Sequence, residues 1–110
     1  MNKAKVTFTP FALNCIKEIF DYTFEQSKSD KIAQKLVDSI LKKIKLLIHH
    51  PELGKQEELL IDTKKIYRFI IDGNYKILYR IIDNNNIVIT DVFHTKQNPD
   101  KIKTREKNLH

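Results

Sequence analysis

The chain has 110 residues, with 20 Lys+Arg against 14 Asp+Glu, a formal charge of +6 and a pI near 9.4. That length supports one compact domain over residues 1–110, and 41% hydrophobic residues, 16 of them isoleucine, suffice for a modest core. Two glycines, Gly54 and Gly73, leave no Gly-rich phosphate or dinucleotide loop, and Cys15 alone makes neither an internal disulfide nor a Cys-rich zinc site. The N-terminal residues lack a signal-type apolar core and no run of 18 apolar residues occurs, so a cytoplasmic location is expected, with no membrane partner.

Charge is unevenly spread. Residues 1–63 hold 10 lysines against 9 acids, whereas residues 64–110 hold 10 Lys+Arg against 5 acids, including all three arginines, Arg68, Arg80 and Arg105. A localised basic excess favours a polyanionic or acidic partner more than dispersed charge does. Lysine outnumbers arginine 17 to 3, so a solvated basic surface accounts for part of it.

In chain order, Lys5-Val6-Thr7-Phe8-Thr9 alternates as a short strand. Thr9-Pro10 then offers an N-cap with proline in the first helical turn. Leu13, Ile16, Ile19, Phe20 and Phe24 recur at helical spacing as far as Ser27, and Ser29-Asp30 offers a second cap. From Lys31 to His49 a cleaner stripe of Ala33, Leu36, Val37, Ile40, Leu41, Ile44, Leu47 and Ile48 predicts a second helix with a lysine-rich outer face. The short link implies an antiparallel helical hairpin. Pro51 and Gly54 end it, and Pro51 to Lys65 reads as an irregular connection.

The period then changes to two. Ile66–Ile71 and Tyr75–Ile82 predict two strands joined through Asp72-Gly73-Asn74, and Asn86–His94 a third after the Asp83-Asn84-Asn85-Asn86 turn. A three-residue loop places Tyr67, Phe69 and Ile71 on one face with Tyr75, Ile77, Tyr79 and Ile81, against the helices. Arg68, Lys76, Leu78 and Arg80 then share the uncovered face. The fold class is α+β: a strand, a helical hairpin and a three-strand antiparallel meander with the helices on one face.

On the uncovered face Arg68, Lys76, Arg80, His94 and Lys96 are expected to gather and bind phosphates. A solvated strand face with incidental cations is the plainer alternative. His94 is suited to proton exchange near neutral pH. Glu57, on the connection, is a more distant candidate base, and exposed acids there are more often only solvated. His49-His50 lack a third ligand at metal spacing, so no metal or other cofactor is expected, and Cys15 reads as packing.

His50-Pro51-Glu52-Leu53-Gly54, Tyr67-Arg68, Tyr75-Lys76-Ile77-Leu78-Tyr79-Arg80 and Val92-Phe93-His94-Thr95-Lys96-Gln97-Asn98-Pro99 together resemble toxins of the RelE/ParE superfamily. The preceding strand and helical hairpin stand in that family's order. The resemblance implies the toxin half of a type II toxin–antitoxin module, of the kind that stabilises plasmids. A cognate antitoxin is then the main partner, with operator DNA bound only through the antitoxin complex. ParE-like members resemble DNA gyrase inhibitors, and the long hairpin, the His-Pro-x-x-Gly connection and the Val-Phe-His ending lean that way. RelE-like members resemble metal-independent endonucleases acting on ribosome-bound mRNA. That alternative assigns catalysis to Lys76, His94 and Glu57, and target or phosphate binding to Arg68, Lys76, Arg80 and Lys96. Lys76 stands where that family usually has arginine, and no tyrosine follows Tyr79. A third alternative is a non-toxic RNA-binding or antitoxin-binding module.

Overall fold

The computed structural model describes residues 3–57, 65–83 and 85–96. Chain order is β1 (Lys5–Phe8), α1 (Pro10–Ser27), α2 (Asp30–Lys45), a short 3-10 turn (Leu46–Ile48), β2 (Lys55–Gln56), β3 (Arg68–Asp72), β4 (Tyr75–Asp83) and β5 (Asn86–His94). The fold class is α+β, with two helices against a single five-stranded sheet of order β1-β5-β4-β3-β2.

Local chemistry sets the helices. The Thr9 hydroxyl accepts from the Ala12 amide, and Pro10 occupies the first turn, where a missing N–H costs nothing. α1 closes at Lys28, whose left-handed backbone (φ 56°) directs its N–H onto the Phe24 carbonyl. Ser29 caps α2 by accepting from Ile32. The two-residue link folds α2 back against α1, and α2 buries Ala33, Val37, Ile40 and Ile44. The helical stripe beyond Lys45 continues only as the 3-10 turn, so the second helix ends earlier than its periodicity predicts.

Two strand features differ from expectation. The connection contains β2, two residues paired with Arg68 and Phe69. β1 pairs with β5 in parallel, so the meander is extended at both edges into a mixed sheet.

The register of β3 differs more consequentially. Asp72 pairs with Tyr75, leaving Gly73 (φ 58°) and Asn74 as a two-residue loop rather than three. Every β3 side chain therefore lies on the face opposite to that expected. Ile70 joins Ile77 and Tyr79 in the core beneath the helices, whereas Tyr67 packs with Leu78 and Phe93 in a second, smaller cluster on the other face. The β4 assignment holds: Ile77, Tyr79 and Ile81 face the helices, and Lys76, Leu78 and Arg80 face away.

On β5, Ile87, Ile89 and Val92 all belong to the main core, although Ile89 and Val92 are three apart. A bulge reconciles this: Leu78 pairs with Asp91 and Tyr79 with Ile89, leaving Thr90 as the extra residue. Buried Asp91 accepts a hydrogen bond from the Cys15 thiol at 3.3 Å, so Cys15 is a packed interior residue of α1. No helix among the described residues is long and apolar enough to cross a membrane. The final motif residues Gln97, Asn98 and Pro99, the charged tail with Arg105, and positions 58–64 lie outside the described residues.

Candidate functional site on the open sheet face

The face turned away from the helices carries Thr7 from β1, Phe93 from β5, Lys76, Leu78 and Arg80 from β4, and Phe69 and Ile71 from β3. Tyr67 and Glu57 adjoin it, because the Glu57 amide donates to the Tyr67 carbonyl at 2.8 Å and carries the ladder one residue beyond β2.

Lys76 is held twice. Its ammonium lies 4.1 Å from the centroid of the Phe69 ring and forms an ion pair with the Glu57 carboxylate. Glu57 is thus a buried residue, 3% exposed, rather than a solvated acid on a connection. The Lys76 side chain keeps 18% exposure, so the pair is largely shielded from water and its separation leaves a poorly solvated charge.

Arg80 is held differently. Its guanidinium stands 5.8 Å from the Tyr67 ring centroid, and its buried Nε has no hydrogen-bond partner among the described residues. Packing on Tyr67, Leu78 and Phe93 fixes the floor from which both cations rise.

The expected gathering of five residues is only partly realised. Lys76 and Arg80 share the open face, four positions apart on one strand and so about 13 Å along it. Arg68 does not join them. It pairs with Tyr79, and its Nη1 donates to the Gly54 carbonyl at 2.8 Å. His94 also leaves the set, because it pairs with Tyr75 and its ring meets the Tyr75 ring edge-on at 5.4 Å. There it lines a cleft of about 480 Å³ together with Ile19 and Tyr22 of α1, and its Nδ1 accepts from the Lys96 amide. Lys96 is exposed beyond the end of β5. What moves Arg68 off the face is the single-residue change in loop length. His94 follows from alternation along β5, which puts Phe93 outward and His94 on the helix side.

Beside the open face is a small polar knot that periodicity does not reveal. The Tyr79 hydroxyl donates to the Pro51 carbonyl (2.7 Å) and accepts from the Gly54 amide (2.9 Å). Burial is the main cause that raises the Tyr79 pKa above its ordinary value, opposed by the Gly54 hydrogen bond and the nearby Arg68 charge. A Cβ on Gly54 would lie 2.4 Å from the Phe69 carbonyl oxygen and 2.8 Å from Tyr79, which is why this position takes glycine. The knot anchors the connection that delivers Glu57 to Lys76. The sequence signal was available in the His-Pro-x-x-Gly spacing opposite a buried tyrosine.

Comparison with known proteins agrees with this architecture. A chain from a structure titled "Chromosomal ParDE TA system from P. aeruginosa" superposes with a TM-score of 0.65 at 16% identity, covering 84% of this chain and 96% of that one. At that identity the likeness establishes the fold. No curated protein matches the chain. The family described as "ParE toxin of type II toxin-antitoxin system, parDE" matches residues 6–99. With that match running from β1 through the end of β5, the chain belongs to the ParE toxin family of type II toxin–antitoxin systems.

Proposed function

We propose that this protein arrests bacterial growth by binding DNA gyrase through its open sheet face, and that a cognate antitoxin in the same cytoplasm keeps it inactive. The observation that carries the choice is the separation of His94 from the other two members of the expected catalytic set. Lys76 and Glu57 neutralise one another over Phe69, while His94 lies on the other side of the sheet. Phosphoryl-transfer chemistry on RNA needs a base and a charge stabiliser that converge on one scissile phosphate. The face instead offers the Arg80 cation and the Lys76–Glu57 ion pair on an aromatic and aliphatic floor, which suits recognition of a protein surface.

The test is pulse-labelling of DNA and protein synthesis in bacteria within minutes of inducing the chain without its antitoxin. DNA synthesis is expected to stop while translation continues, and purified chain is expected to inhibit gyrase supercoiling. Translation stopping first overturns the reading. One observation favours the RelE-like alternative: Glu57 and Lys76, two of its three catalytic candidates, are in direct contact. In that case Glu57→Gln abolishes mRNA cleavage on programmed ribosomes.

A further inference from the structure

The cleft between α1 and the strand ends at Tyr75 and His94 takes no part in the function proposed above. Its volume of about 480 Å³ is within the range of small-molecule sites. Three rings line it from three elements: Tyr22 of α1, Tyr75 of β4 and His94 of β5. Tyr75 and His94 meet edge-on, with 5.4 Å between centroids and 80° between planes, so they form two walls at nearly a right angle. Tyr22, from the helix, is 64% exposed, a large aromatic surface left open to water. The charge of the cleft runs against that of the chain. The formal charge is +6, yet no lysine or arginine lines the cleft among the described residues. Its charged wall residue is Glu18, one helical turn before Tyr22, a spacing that sets the two side chains next to each other. One Glu18 oxygen accepts from Asn14 at 2.9 Å, and the other has no hydrogen bond among the described residues. Cys15, which also lines the cleft, donates its thiol proton to Asp91 and so places a second acid behind the first.

We propose that this cleft is a binding site for a small organic cation of the guanidinium type. The flat, delocalised head group lies against the tyrosine rings and donates an N–H to the free Glu18 oxygen, while an aliphatic stem rests on Ile19 and Val92. Aromatic walls with one carboxylate select this chemistry. The negative face of a ring attracts a cation, and a guanidinium gives up its weak hydration more readily than a primary ammonium does. Glu18 repels an anion, and a neutral ligand forgoes both attractions. The sheet stands between this cleft and the Lys76 and Arg80 side chains, so the ligand leaves the open face free.

The experiment titrates the purified chain with n-butylguanidinium and with its neutral isostere n-butylurea, following the Tyr75 and His94 ring resonances by NMR. The guanidinium is expected to shift both resonances saturably with a Kd of about 1 mM, as suits so small a ligand, and the urea to bind at least about tenfold more weakly. Glu18→Gln/Tyr22→Ala, at two exposed positions, is expected to weaken guanidinium binding at least about tenfold. Tyr22→Phe, which keeps the ring, is expected to stay within about twofold of wild type. Circular dichroism and melting curves establish that each variant is folded. N-acetylarginine amide forms a second arm. Tighter binding of it than of n-butylguanidinium upholds the site and names an arginine side chain as the source, and the reverse upholds it with a free small molecule. Equal binding of the urea and the guanidinium overturns the cationic character of the ligand. Wild-type affinity in the folded double variant overturns the location, and no saturable shift in wild type up to about 20 mM overturns the site itself.

Discussion

Tyr79 does more than fill the core. Its phenol closes a loop between Pro51 and Gly54, and Arg68 holds the same glycine by its carbonyl, so three hydrogen bonds fix the connection that ends in Glu57. Tyr79→Phe leaves the Gly54 N–H and the Pro51 carbonyl without their partner, which is expected to cost about 1–3 kcal/mol in urea unfolding. Gly54→Ala forces a backbone shift against the Phe69 carbonyl and is expected to cost about 2 kcal/mol or more. The pH dependence has a definite sign. Because burial raises the Tyr79 pKa, the neutral phenol contributes stability that is fully present below the unfolded value of about 10 and lost as pH rises through the higher folded value. Melting temperatures followed from pH 8 to about 12 should therefore fall less steeply in Tyr79→Phe than in wild type. At the ion pair, Lys76→Met removes the ammonium that faces the buried Glu57 carboxylate and is expected to destabilise by about 3 kcal/mol. Lys76→Met/Glu57→Gln, which removes both charges, should recover most of that loss, and a double-mutant cycle reads it.

Among the elements, the two helices and their caps were legible because each signal is local. Thr9-Pro10 and Ser29-Asp30 act within one turn, and the apolar stripe of α2 repeats four times. Strand faces were less legible, for a physical reason. Residues 66–71 include Ile66, Tyr67, Phe69, Ile70 and Ile71, so both faces of β3 are apolar and periodicity alone cannot orient it. Orientation then depended on whether the turn holds two residues or three, and one residue reversed Arg68, Phe69 and Ile71 together. The β5 bulge escaped for a similar reason, since the core spacing of Ile89 and Val92 departs from two only where Thr90 is extruded. β2 is too short to leave a pattern. Of the candidate site, the β4 cations Lys76 and Arg80 were readable from alternation, whereas the burial of Glu57 depends on tertiary contacts with Tyr67 and Lys76. The helix link offers its own prediction. Lys28 holds a left-handed conformation that a side chain adopts at a cost, and its contact with Glu25 is an exposed pair of little worth. Lys28→Gly is expected to raise stability by about 0.5–1 kcal/mol, measured by urea denaturation.

At the scale of the whole molecule, the sheet is a partition. One side is committed to the helices and holds His94 in its own cleft with Tyr22 and Tyr75, and the other presents Lys76 and Arg80. A residue on the first side can influence chemistry on the second only by moving the strands, and these are fixed by the core of Ile70, Ile77, Tyr79, Ile89 and Val92. The two surfaces are therefore expected to respond independently to mutation. His94→Ala should leave growth arrest within about twofold of wild type whichever target the toxin has, because its ring does not share a face with either cation. Arg80→Glu reverses charge where the guanidinium lies over Tyr67 without touching the main core, and it should reduce arrest by tenfold or more, scored as the inducer concentration that halves colony formation. Combining the two should give the sum of the separate effects, as expected for sites without shared partners. Loss of arrest in a folded His94→Ala protein would mean that the cleft beside α1, and not the cationic face, meets the target.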